Sequence, residues 1–371
     1  MRVLAVNPGS SSLKVTLLER ERLFFDHELP LGDSVDEIRS ALGQLALWNA
    51  GDPPEAIGVR IVHGGSRFSE SVQVDSPFLS SLQELVWLAP LHLPIAIRVL
   101  SALKRIKNPL PVVAVFDTHF HRTIPEETRR YALPSLWKEK DGVEKYGFHG
   151  LSYDYISRRL PDVLQGPLPP KMVAVHWGNG ASVCAMKDGR SVETSMGMTP
   201  LDGLVMGTRP GSIDPGIVPM LLRKGYALDR IEEDLNHHSG LFALSGGVKD
   251  FRKIEEGWKA GELPARTAFS KAVTSVAMTV GAYAAVLGGL DGLVFSGGVG
   301  EHSSTARRAV MEKLAFLGVS EDAAANLSGS GDREISKKGS AVSVWVIHAR
   351  EDRTIARETE GLLAQTMTDQ R

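Results

Sequence analysis

Val3-Leu4-Ala5-Val6-Asn7-Pro8-Gly9-Ser10-Ser11-Ser12-Leu13-Lys14-Val15-Thr16-Leu17-Leu18 opens the chain with two strand-forming runs separated by a Pro/Gly/Ser break. Such a break between apolar runs predicts a hairpin. The cadence recurs at Val173-Ala174-Val175-His176, through Trp177-Gly178-Asn179-Gly180-Ala181, into Ser182-Val183-Cys184-Ala185-Met186. Two copies of strand, glycine turn and strand point to a duplicated architecture. A third version runs from Gly292-Leu293-Val294-Phe295 into Ser296-Gly297-Gly298-Val299-Gly300-Glu301. It leads to a helix predicted over about residues 304–317, where Ala306, Val310, Leu314 and Leu317 share a face and Gly318 supplies the stop.

Helical periodicity fills the intervals. Pro94 marks a first turn, with Ile95, Val99, Leu103 and Ile106 on one stripe, and Phe269, Val273, Val276 and Val280 form another. Helices alternating with strands place the chain in the α/β class. The length of 371 residues calls for two domains. The boundary is expected near residues 121–125, after the apolar run Val112-Val113-Ala114-Val115-Phe116 ends in Asp117.

Composition narrows the function. Forty-two Lys and Arg stand against 44 Asp and Glu, a formal charge of -2. A general nucleic-acid or anionic-membrane binder carries a basic excess, and this chain has none. Its 37 glycines exceed the usual share of about 7%, which fits tight turns and ligand-approaching loops. The single cysteine, Cys184, excludes an intrachain disulfide and a Cys-based zinc cluster and fits a reducing compartment. The first residues lack a signal-peptide apolar run, so the expected location is the cytoplasm. The charge-free residues 272–290 approach the length of a bilayer span. Their Thr274, Ser275, Thr279 and glycines, without flanking aromatic and basic belts, predict a buried core helix instead.

Glycine-rich turns directly after strands expose backbone N–H groups that cradle phosphate oxygens, although any one of them also reads as an ordinary hairpin. The chain lacks a Walker A loop, and no G-x-G-x-x-G opens a helix after the first strand, so the P-loop and Rossmann readings fall. Read together, six segments are specific: Asn7-Pro8-Gly9-Ser10-Ser11-Ser12-Leu13-Lys14, Arg60-Ile61-Val62-His63-Gly64-Gly65, Phe116-Asp117-Thr118, Tyr146-Gly147-Phe148-His149-Gly150, His176-Trp177-Gly178-Asn179-Gly180-Ala181-Ser182 and Gly207-Thr208-Arg209. In this order they resemble the acetate kinase family of acetate, propionate and butyrate kinases, and the likeness continues to Ile355-Ala356-Arg357-Glu358-Thr359.

The resemblance implies the duplicated two-domain actin/Hsp70/sugar-kinase fold, with ATP in a cleft between the domains, and a homodimer. Residues 1–121 with 353–371 are expected to form the first domain and 122–352 the second. The implied reaction passes the γ-phosphoryl group of ATP reversibly to a short carboxylate, acetate foremost. Propionate or butyrate as acceptor, and a nucleotide-binding regulatory protein on the same scaffold, are the alternatives. By position, Arg60 and Arg209 match the family's active-site arginines, and His149, His176 and Asp117 match further catalytic positions. Without the motif, His149 reads as a core histidine and the other two as hydrogen-bonding strand ends. Asn7 and Glu351 match the side of a Mg²⁺ ion, for which Mn²⁺ is a substitute.

Ser10, Ser12 and Lys14 fall on the first phosphate turn, Lys14 reading equally as a surface strand lysine. Asn179, Gly180, Gly298 and Gly300 match phosphate loops, and Asp250, Phe251 and Arg252 match the adenosine side. Val62, Leu91, Phe148 and Pro200 match the lining of the acyl pocket; singly, all four read as core. Departures from the family pattern stand at Ser66, Leu93, Tyr153, Pro210 and Ser212, and at Arg350-Glu351-Asp352, which sets a cation beside Glu351.

Overall fold

The computed structural model describes residues 1–9, 12–45, 51–106 and 110–369. They divide into two units, one of Met1–Arg122, Gly150–Tyr155 and Arg350–Arg371, the other of Thr123–His149 and Ile156–Ala349.

In the first unit the strands are β1 (Arg2–Pro8), β2 (Ser12–Glu19), β3 (Arg22–Pro30), β4 (Ala56–Ile61), β5 (Val72–Gln73) and β6 (Val112–Phe116). The predicted hairpin forms: β1 and β2 pair antiparallel with Asn7 opposite Lys14, and Gly9 N donates to Ser12 O at 2.8 Å. β4 joins β1 in parallel, and β6 joins β4 likewise. Both are almost continuously buried, as strands covered on two faces must be. Helix Glu351–Asp369 covers one face and puts Ile355, Ala356 and Leu363 into a cluster with Val3, Ala5, Val113 and Val115. Its approach requires glycine at position 58, where a Cβ would lie 2.2 Å from Thr359 Oγ1 and 2.6 Å from Ile355 Cγ2. Helix Leu93–Lys104 has Pro94 in its first turn and buries Leu93, Ala96, Val99, Leu100 and Leu103. Val99 and Leu103 of the expected stripe lie on that face, whereas Ile95 is half-buried and Ile106 lies past the helix end.

In the second unit the strands are β7 (Lys171–Trp177), β8 (Ala181–Lys187), β9 (Arg190–Thr194), β10 (Gly292–Ser296), β11 (Arg333–Glu334) and β12 (Ser343–Val346). β7, β8 and β9 form an antiparallel meander, while β10 lies parallel to both β7 and β12. Helix Leu263–Leu287 is long and apolar enough to cross a bilayer by length and composition. Here it packs on β7 and β8 and buries Phe269, Val273, Val276 and Val280, as expected for a core helix. The third glycine segment differs from its reading as a loop. Helix Gly297–His302 starts directly at the end of β10, and the chain makes the sharp turn at Gly297, whose φ is +77°. Helix Ser304–Lys313 and a short 3₁₀ turn, Ala315–Leu317, then end at Gly318 in the left-handed region.

The first sheet has the order β3-β2-β1-β4-β6-β5 and the second β9-β8-β7-β10-β12-β11. Counted from the first strand of each unit the two orders are the same, which is the duplication anticipated from the repeated hairpins.

Candidate active site

Three neighbouring strands of the first unit end at one cluster. Asn7 lies at the end of β1, Arg60 near the end of β4, and Asp117 directly after β6. The carboxyl ends of parallel strands are where α/β sheets gather ligand-binding groups. Arg60 Nε and Nη2 donate to Asp117 Oδ2 at 3.0 and 2.5 Å, and Nη1 donates to Asn7 Oδ1 at 3.0 Å. Glu351, the first residue of its helix, accepts from Asn7 Nδ2 at 2.8 Å and lies 3.5 Å from Arg60 Nη1. Burial works against the Arg60 charge, but the fields of Asp117 and then Glu351 outweigh it and raise the pKa above the usual arginine value. Asp117 is fully buried, and its carbonyl accepts from Gly150 N at 3.0 Å.

Two carboxylates against one guanidinium leave an excess negative charge, and the donors are the hard oxygens of Asn7, Asp117 and Glu351. Among the described residues no group of three or more His, Cys, Asp or Glu converges on a metal position. A cation here would therefore take few protein ligands and complete its shell with water and phosphate, the habit of Mg²⁺. The donor set fits that ion.

Lys14 sits across from Asn7 but pairs with Asp26 at 3.6 Å and is half exposed, as a strand lysine is. Ser12 contributes its carbonyl to the turn, and Ser10 lies outside the described residues. Val62 is buried, whereas Leu91 is 41% exposed.

A second cluster forms in the other unit around the turn from β7 to β8. His149 holds a left-handed backbone, φ +56°, an uncommon conformation for a non-glycine residue and one enriched at functional positions. Its Nδ1 is 2.9 Å from Ser182 Oγ on β8, and its ring stacks on His176 with centroids 4.3 Å apart. Gly180 is what lets these groups close in: a Cβ there would be 2.7 Å from Arg209 Nη2 and 3.5 Å from His149 Nε2. Gly207 plays the same part for Asn179, whose Oδ1 would lie 2.0 Å from an added Cβ. Arg209 donates Nη1 to Pro200 O at 2.8 Å, and no carboxylate among the described residues pairs with it. Burial alone pushes its pKa down to about 10. Phe148 is buried beside His149 in sequence, and the Pro200 carbonyl accepts from Arg209.

Next to this turn the second unit holds a cavity of about 760 Å3, within the usual range for small-molecule sites. Asn179, Asp250, Phe251, Arg252 and Gly298 of the expected residues line it. Asp250 also caps helix Phe251–Lys259 by accepting from Arg252 N at 3.0 Å, and the Arg252 side chain holds its carboxyl below the usual range. Gly300 does not line the cavity; it is buried, and its carbonyl accepts from Arg307. Lys249, Glu255, Lys259, His302 and Ser303 line the cavity without having been singled out in the sequence. For Ser303 a signal existed, since it caps helix Ser304–Lys313 by accepting from Ala306 N. Charged residues on a strongly amphipathic helix such as Phe251–Lys259 gave none.

The Acetokinase family matches residues 26–357. The acetate kinase of Symbiobacterium thermophilum is 40% identical, over 98% of this chain and 99% of its own. Among solved structures, a propionate kinase from Francisella tularensis superposes with a TM-score of 0.89 at 34% identity, covering 97% of this chain and 99% of that one. The acetate kinase of Porphyromonas gingivalis gives 0.86 at 34% identity, covering 98% and 99%. Likeness of fold alone extends to the Lmo2764 protein of Listeria monocytogenes, with a TM-score of 0.52 at 11% identity over 98% of this chain and all of that one. With two sheets of one strand order and both side-chain clusters falling on the ordered motifs, these matches place the fold among the duplicated actin/sugar-kinase-like structures, and the chain belongs to the Acetokinase family.

Proposed function

We propose that the chain is a carboxylate kinase that transfers the γ-phosphoryl group of ATP to a short-chain acid, acetate foremost, giving an acyl phosphate and ADP in a reversible, in-line reaction. One observation carries the reading: Arg209 is a half-buried guanidinium with no carboxylate among the described residues to neutralise it. An arriving anion stabilises such a cation. Relatives named acetate kinase and a solved propionate kinase support the same class of acceptor.

A carboxylate with an ordinary pKa of about 4.3 is already ionised at pH 7, so the reaction needs no general base. The obstacle is repulsion between two anions, with negative charge spread over the equatorial oxygens of the phosphoryl in flight. Arg209 Nη2 and His149 Nε2, which flank the Gly180 backbone, are assigned as donors to those oxygens. Ser182 Oγ donating to His149 Nδ1 would leave the ring proton on Nε2, where the phosphoryl needs it. Asn179 and Gly298 are assigned to the phosphates and residues 250–252 to the adenosine; all of them line the second-unit cavity, which supports that assignment. In the first unit Asp117 fixes the fork of Arg60 for an anion, and Asn7 with Glu351 would hold Mg²⁺. When bound, that ion neutralises phosphate charge.

The test is an acyl-phosphate trap: the protein with Mg-ATP and formate, acetate, propionate or butyrate in parallel, hydroxylamine capturing the product and ADP followed separately. Hydroxamate from acetate supports the reading in full, and hydroxamate only from a longer acid moves the acceptor. ADP without hydroxamate from any acid refutes the kinase and leaves a nucleotide-binding protein on this scaffold. Assembly as a homodimer is part of the proposal. Helix Ile217–Arg223 buries none of its residues and exposes Ile217, Met220 and Leu222. Sedimentation of a monomer at micromolar concentration would refute it.

A further inference from the structure

We propose that Arg307 is a positioning residue for the nucleotide, fixing the shape of helix Gly297–His302, whose Gly298, Val299 and His302 line the second-unit cavity. The inference deepens the reading of that cavity as the nucleotide site and rests on it.

The helix cannot hold its own shape. It has six residues, and Gly297, Gly298 and Gly300 are among them. Glycine is a poor helix former, and so short a helix does not repay its nucleation. Side chains therefore hold both ends, one from within the helix and one from outside it. At the start, Glu301 Oε1 accepts from Gly297 N at 2.9 Å. At the finish, Arg307 Nη1 donates to Gly300 O and to Glu301 O, both at 2.8 Å. A cation on the last carbonyls of a helix also meets the negative end of its dipole.

The rest of the guanidinium is spent on bracing. Nε donates to Asn326 Oδ1 and Nη2 to Asn326 O, each at 2.7 Å. Asn326 Nδ2 in turn donates to Ser304 O at 3.0 Å and to Glu321 Oε1 at 2.6 Å. Arg307 is 1% exposed, and no carboxylate among the described residues pairs with it directly. Burial pushes its pKa down to about 10, so holding the charge there is costly. Packing gives no reason for that cost: Arg307 shares the buried face of its helix with Val310 and Met311, where an apolar chain would serve. What only a guanidinium supplies is several donors in fixed geometry, aimed here at the backbone that ends the glycine helix.

The test measures ADP binding to the whole protein by calorimetry, with KM for ATP and for acetate and the melting temperature, in Arg307→Met and Arg307→Lys. Removing donors from a charged group should weaken ADP binding by about tenfold or more in R307M. R307K should fall between, since an ammonium lacks the fork. KM for acetate should stay within about twofold in both, splitting the two substrates. Should R307M not fold, R307K and Asn326→Leu, which removes the acceptor of Nε and keeps the charge, carry the same readout. ADP affinity unchanged in the folded variants overturns the proposal. So does a parallel loss for ADP and acetate that scales with lost thermal stability. Wild-type protein that binds no ADP sinks the nucleotide reading and this inference together. Wild-type protein that binds ADP but phosphorylates no acid sinks only the kinase reading.

Discussion

Arg209→Met separates stability from catalysis. In the free protein, burial lowers the Arg209 pKa from the ordinary arginine value to about 10. At about 1.4 kcal/mol per unit, holding the charge there costs roughly 3 kcal/mol. Against this stands the bond from Nη1 to Pro200 O at 2.8 Å. A hydrogen bond from a charged donor is worth about 1.5–3 kcal/mol. The two nearly cancel, so R209M should unfold in urea within about 1–2 kcal/mol of the wild type. Its kcat in the hydroxamate assay should nevertheless fall by about a thousandfold or more, the effect of losing an arginine that meets a phosphoryl group in flight. The pH dependence has a definite sign. The folded pKa lies below the unfolded one, so the penalty is present at neutral pH and is relieved as pH rises above about 10 toward the ordinary arginine value. Over that same rise kcat/KM should decline, because the cation is lost. Near-wild-type turnover in R209M would refute the role given to Arg209. A stability loss beyond about 3 kcal/mol would refute the view that its charge is uncompensated.

Arg60→Met should behave in the opposite way, because it strips the cation from buried Asp117 and from Glu351. A loss of about 3–5 kcal/mol in urea unfolding is expected, and less than about 1 kcal/mol would contradict the ion-pair account. Gly180→Ala places a Cβ 2.7 Å from Arg209 Nη2, the movable end of a side chain, so the fold should survive. Its kcat should drop about tenfold or more through the displaced guanidinium, and unchanged turnover would count against the cluster. Cys184 is fully buried, and burial pushes its thiol up to about 12. It should resist thiol reagents until urea unfolds the chain; rapid labelling of native protein would contradict that burial.

The sequence was most readable where local chemistry and tertiary role agree. The Pro8-Gly9 break forced a hairpin, and Val112–Phe116, apolar throughout, became a fully buried strand. Phe269, Val273, Val276 and Val280 were legible as a stripe because one face of their helix is buried. Legibility failed where another part of the chain overrides propensity. Three glycines in Gly297–His302 read as a loop, and it is Arg307 and Glu301 that impose the helix. Arg307 itself stands three residues before Val310, on the buried face, yet its residue type argues for solvent. For the candidate site, the motifs named side chains but not partners. That Arg60 is pinned by three groups while Arg209 has no anionic partner among the described residues follows from folding distances that no spacing encodes.

The helix at Glu351–Asp369 also sets a schedule for biosynthesis. Its Ile355, Ala356 and Leu363 complete the cluster around Val3, Ala5, Val113 and Val115, and Thr359 presses on the bare backbone of Gly58. The ribosome makes β6 long before residues 351–369, with the whole second sheet between. The second unit can therefore bury its core while the first sheet, already synthesised, still shows an apolar face. Nascent chains should thus present that face of residues 1–122 to holdase chaperones until helix Glu351–Asp369 has been made.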